Sequence, residues 1–137
     1  TEITLNILET SDAVVLVATP DIPSIRGTRL FLDLMKKLDY PPRQIILVLN
    51  KMDKRAGITA AAVETNLKHP VSAQIASDER SVVASINRGV PLMLGDKGLP
   101  PIQGLLDTVK AVKETLAEPE KEEAGDKKKS ALERIRR

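Results

Sequence analysis

The sequence predicts an α/β fold in three layers, a mostly parallel sheet with helices flanking both faces. Two runs, residues 13–18 and 44–49, are apolar almost throughout and rich in branched side chains, as strands buried on both faces are. The stretch between them carries a helical stripe and has about the length a parallel crossover needs. Three strands end in polar loops, Thr19-Pro20-Asp21, Asn50-Lys51-Met52-Asp53 and Ala76-Ser77-Asp78. Parallel strands bring such loops to one rim, where ligands sit in open α/β sheets.

Taken in order, residues 2–10 place Ile3, Ile7 and Leu8 at helical spacing before Ser11-Asp12 breaks the pattern. Residues 13–18 form the first strand, and 19–24 a turn that leads into a helix over 25–38. Its apolar stripe is Leu30, Phe31, Leu34, Met35 and Leu38, with Arg26, Arg29, Asp33, Lys36 and Lys37 mostly opposite. Pro41-Pro42 cannot continue it. The second strand occupies 44–49, and a third helix starts at Thr59 and runs through Val63 to Leu67. Pro70 stops it, and 71–75 form the third strand. His69 reads as a surface loop residue with no catalytic partner in sight. Ser77 caps the next helix with Asp78 and Glu79 at its positive end, Val82, Val83 and Ile86 are its buried stripe, and Gly89 ends it. Residues 91–94 suggest a short edge strand. The last helix carries Ile102, Leu105, Leu106, Val109, Val112 and Leu116, the clearest helical stripe in the chain.

Composition narrows the function. In 137 residues there is no cysteine and one histidine, which excludes disulfides, thiolate metal sites and multi-histidine metal sites. Phe31 and Tyr40 are the only aromatics, so stacking is a poor route to holding nucleic acid, and a net charge of +2 gives no general attraction to it. No nucleic-acid partner is expected. No apolar run approaches membrane-spanning length and the start lacks signal-peptide features, so the cytoplasm is the expected compartment. Residues 1–116 form the folded unit, and 117–137 a charged tail with little to bury. Within it, 127–137 holds six basic residues and one acid beside Leu132 and Ile135. That part is either a solvated tail or a weak contact with an anionic membrane surface.

Asn50 offers an amide donor and acceptor side by side, as a purine edge requires. No G-x-x-x-x-G-K-[ST] accompanies it; Gly95-Asp96-Lys97-Gly98 and Gly125-Asp126-Lys127 lack the spacing and the following hydroxyl. These residues alone lack the amide cradle and lysine that stabilise phosphoryl transfer, so no catalytic residue is assigned.

Asn50-Lys51-Met52-Asp53 resembles the guanine-specificity motif of GTPases, followed at Ser72-Ala73-Gln74 by a likeness to their Ser-Ala element. A wider pattern resembles the MinD/ParA group of P-loop ATPases, nearest its CpaE/TadZ-like pilus-assembly and localisation members. It comprises Ser11-Asp12-Ala13-Val14-Val15-Leu16-Val17, Thr19-Pro20-Asp21, Ser24-Ile25-Arg26 and Val48-Leu49-Asn50-Lys51. It continues through Ile75-Ala76-Ser77-Asp78, Val82-Val83 and Ser85-Ile86-Asn87-Arg88-Gly89-Val90-Pro91.

That resemblance implies the C-terminal half of such a domain, a partial P-loop NTPase fold whose Walker A loop and switch regions lie upstream of Thr1. It places Asn50 and Lys51 at an adenine, with the backbone of Ile75, Ala76, Ser77 and Asp78 lining the base; Asp53 keeps the guanine alternative open. Ala76 stands where the family usually has proline. The implied cofactor is ATP with Mg²⁺ in the intact parent and none bound by this chain alone. The implied partners are other proteins, contacted along the 25–38 helix, and a second copy through the apolar edge of the first strand. A nucleotide-free interaction module is the third reading.

Overall fold

The computed structural model describes residues 2–55 and 57–117. The tail, with its expected membrane contact at 127–137, lies outside the described residues. Among the described residues, five α-helices and three strands follow in the order α1 (Glu2–Thr10), β1 (Val14–Ala18), α2 (Ile22–Lys37), β2 (Ile45–Met52), α3 (Ala60–Leu67), β3 (Val71–Ala76), α4 (Glu79–Arg88) and α5 (Pro100–Ala117). The strands pair in parallel in the order β1-β2-β3. This is the three-layer α/β architecture expected.

β2 is central, and its alternation assigns the layers. Leu47 and Leu49 join Ala18, Val63 and Leu67 in the layer under α2 and α3. Ile46 and Val48 join Ala73 on the opposite face, where Ala111 and Val112 of α5 cover them. Both faces of β2 are thus dry, and each fully buried leucine contributes roughly 1.5–3 kcal/mol. A third cluster, Leu8, Met35, Leu38, Tyr40 and Ile45, fastens α1 and the end of α2 to the lower sheet. Arg29 Nη2 ties α2 to the end of α3, donating to the carbonyl of Asn66 and, at 2.8 Å, to its Oδ1. α5 approaches β3 through Gly104, which is buried.

Several elements differ from expectation for local reasons. α2 begins at Ile22, because Asp21 accepts the Ser24 N–H at 2.8 Å as N-cap and Pro23 suits a first helical turn. α4 is capped by Asp78, not Ser77: Asp78 Oδ1 accepts the Ser81 N–H at 3.1 Å, while the Ser77 N–H is spent on the Met52 carbonyl at 2.9 Å. Residues 91–94 are not a strand; Leu92–Leu94 is a 3-10 turn closed by the Leu94 N–H on the Pro91 carbonyl. His69 is buried, not a surface residue, with Nε2 2.9 Å from the Ile45 carbonyl.

The apolar stripes are less buried than their periodicity predicts. On β1, Val15 and Val17 are 44% and 56% exposed, because α5 covers β2 and β3 and leaves that face of β1 open. On α2, Leu30 and Leu34 are exposed; on α5, Leu106, Val109 and Leu116 are. α4 buries no residue: Val82 and Val83 are exposed and Ile86 is 71% so.

Candidate nucleotide-base site

The three expected loops stand together at the carboxyl ends of β1, β2 and β3. β2 does not stop at Leu49; it runs to Met52, so Asn50 and Lys51 belong to the strand. Leu49 pairs with Gln74 and Met52 with Ala76, which leaves one residue too many on β2, a β-bulge. Lys51 takes up the excess at φ 56°, a left-handed conformation uncommon for a residue with a side chain. The Lys51 N–H, turned off the ladder, donates to Asn50 Oδ1 at 2.8 Å. That bond fixes the half-buried Asn50 amide and uses one lone pair of its oxygen.

β3 is held to this bulge by the Ser77 N–H on the Met52 carbonyl. A hollow of about 340 Å³ opens beside the junction, bounded by Met52, Asp53, Gly57, Thr59, Gln74 and Ala76 among others. Gly57 has φ 74°, which turns the chain from β2 back toward α3, and Thr59 caps α3 through the Ala62 N–H at 3.2 Å. Of the residues expected at the site, Asp53 and Ala76 line the hollow, and Asn50, Lys51, Ser77 and Asp78 lie on the same rim. The Ile75 side chain instead packs with Ile46, Val48 and Ala73 under α5, so only its backbone faces the rim loops. Met52 and Gln74 were named only within the rim loop and the GTPase-like element, and Gly57 and Thr59 were not expected there; the sequence signal for Thr59 and Gly57 was turn and cap chemistry alone.

The rim carboxylates are all occupied. The Thr19 hydroxyl and then the Ser24 N–H hold Asp21 below the ordinary carboxylate value. The Arg55 N–H, at 2.9 Å, and then the Arg55 side chain, at 3.3 Å, do the same for Asp53. Asp78 is lowered by the Ser81 side chain and N–H. None of the three is poised as a general base, and the Asp53 carboxylate faces its own turn. Their depressed folded values stabilise the fold above the unfolded value near 3.8, and that stabilisation is lost as pH falls through the lower folded values. Thermal melting should therefore decline below about pH 4, less steeply in Asp21→Asn/Asp78→Asn; parallel declines in both proteins would discount the caps.

Among the described residues, no group of three His, Asp or Glu side chains is placed to hold a metal ion, and no helix is long and apolar enough to cross a membrane.

Parallel strands in chain order with helices on both faces and polar loops gathered at the carboxyl rim define a three-layer, parallel α/β fold. Three solved structures, each 24% identical in sequence, share it. A ParA family ATPase from Chlorobium tepidum TLS superposes with a TM-score of 0.68 over 85% of this chain and 46% of its own. MinD from Aquifex aeolicus gives 0.67 over 78% and 46%, and the Aquifex aeolicus MinC:MinD cell division complex 0.65 over 76% and 43%. The chain therefore has a MinD/ParA-like fold and spans less than half the length of these neighbours. No protein-family model and no curated protein sequence matches it.

Proposed function

We propose that residues 1–116 are the base-recognition portion of a MinD/ParA-like ATPase of the CpaE/TadZ-like kind, working in pilus assembly or subcellular positioning. The observation that carries this is the Asn50-Lys51 bulge, which fixes an amide on the rim next to Met52, a residue that lines the hollow and is tied to Ser77 just after β3. These parts suit a purine base. They offer no glycine-rich cradle for phosphates, so ATP with Mg²⁺, which would supply the phosphoryl chemistry, is proposed for a longer protein. The share of the neighbours that the chain spans supports that division. Adenine is the proposed base, because Asp53 is engaged by Arg55 and a guanine edge needs that carboxylate outward. Partners are proposed to be other proteins, as MinC is for the Aquifex aeolicus MinD, and a second copy of the chain.

Without phosphate contacts the chain should bind a base only at millimolar concentration, so the test reads backbone amide shifts. Adenosine should move the amides of residues 50–59 and 74–78, and Asn50→Ala should weaken this about tenfold, or ~1.4 kcal/mol. A stronger response to guanosine that disappears in Asp53→Ala would establish the GTPase reading. No response to either nucleoside would favour a nucleotide-free interaction module.

A further inference from the structure

The segment after β3 encloses a second hollow away from the base site. α4 turns Arg80, Ser81, Ala84 and Arg88 toward residues 90–99, leaving about 480 Å³ over a floor of Val90 and Leu92 and a wall at Leu99. Local bonds set its shape. Gly89, at φ 65°, ends α4; the Ser85 hydroxyl donates to the Val90 carbonyl; the Gly95 N–H bonds the Leu92 carbonyl at 3.1 Å. A hollow held this way costs little to order on binding.

Its charges are unequal. Among the residues lining the hollow the cations are Arg80 and Arg88 and the acid is Asp96, whose Oδ1 already accepts the Gly98 N–H at 2.8 Å. Arg88 Nε donates to the Ala84 carbonyl at 3.1 Å, which lays its guanidinium along the wall. Arg80 also sits near Asp78 and helps lower its pKa. Past Leu99 an adjoining hollow of about 370 Å³ adds Lys97. Arg80 and Arg88 share one side of α4, about 12 Å apart along its axis. An extended peptide covers roughly 13 Å in four residues.

We propose that this hollow docks an extended acidic segment of another protein. Two carboxylates four residues apart meet Arg80 and Arg88, and apolar side chains between them lie over Val90, Leu92 and Leu99. Guanidinium–carboxylate pairing fixes the register, and the apolar floor rejects a merely charged strand. In the chain's own sequence Glu118 and Glu122 are four residues apart, but Glu120 and Lys121 stand between them where the floor calls for apolar side chains.

The test uses the full chain and a fluorescent eight-residue probe with two glutamates four apart, separated by leucine and proline. Fluorescence anisotropy should show saturable binding, and amide shifts should fall on residues 80–99. Arg80→Glu/Arg88→Glu should weaken binding about tenfold or more, with circular dichroism confirming that this variant is folded. The same probe with lysine for glutamate should not bind. The proposal is overturned if the acidic probe fails to bind at millimolar chain, if the lysine probe binds as well, if the folded variant binds equally, or if the shifts lie elsewhere. Equal binding by a peptide of residues 117–126 would also overturn it, since the occupant would then be the tail of a second copy.

Discussion

Gly104→Ala should destabilise the protein by about 3 kcal/mol or more, the upper end of what overpacking costs. A Cβ at this position would lie 2.7 Å from Ile75 Cα and 2.8 Å from the Gln74 carbonyl carbon, and both are backbone atoms of β3 that no rotamer change moves aside. The variant can accept the methyl only by lifting α5, which unseats Ala111 and Val112 from Ile46 and Val48. For a chain between the size classes that lose about 4–8 °C and about 2–4 °C per kcal/mol, the melting temperature should drop by roughly 10 °C or more. Gly27→Ala is the control: a Cβ there meets nothing within 4 Å, and in mid-helix it should be neutral or stabilising. Equal melting temperatures for Gly104→Ala and wild type would refute this account of the α5–β3 contact.

Val15→Lys/Val17→Lys should convert a self-associating chain to a monomer without loss of the fold. Among the described residues β1 has β2 on one side and no strand on the other, and its open face carries two exposed valines. An edge with apolar side chains and no lysine, proline or bulge to protect it is a template for another strand. Sedimentation at increasing concentration should show dimers or larger species for wild type. The double variant should shift the association constant about a hundredfold, since two lysines meeting two lysines across an isologous edge repel. A wild-type chain that sediments as a monomer at high concentration would remove the edge from the list of interfaces.

How much of this could be read from the residues depended on whether the cause was local. β2 was legible because burial on both faces leaves Ile45-Ile46-Leu47-Val48-Leu49 without a polar position. The ends of α3 and α4 followed from Thr59 and Gly89, whose cap chemistry is written beside them. The exposed faces of β1 and α4 were not legible, since an apolar stripe shows that a surface suits burial and not that something covers it. His69 was misread as a surface residue because its partner, the Ile45 carbonyl, is remote in sequence. At the candidate site the residue type of Asn50 suggested a chemistry, but the bulge that fixes its amide depends on register against β3. Asp78 was seen as a helix-end acid and is the cap itself, because Ser77 is pulled into the β2 junction.

The sheet's strand order also bears on how the molecule assembles. β1, β2 and β3 are neighbours in space in the order in which they occur along the chain. Every strand pairing therefore closes a single helical crossover, and no strand must wait for a distant segment before it finds a partner. Loop-closure entropy is small for each step, so the contact order is low for a parallel sheet and folding is expected to be fast for this class. This order allows β1 to pair with β2 before β3 and α5 are made, with the α5 face of the sheet expected to stay open until the helix bearing Gly104 arrives. α5 is thus the lid on the core, and a nascent chain without it would expose Ile46 and Val48 to whatever is nearby.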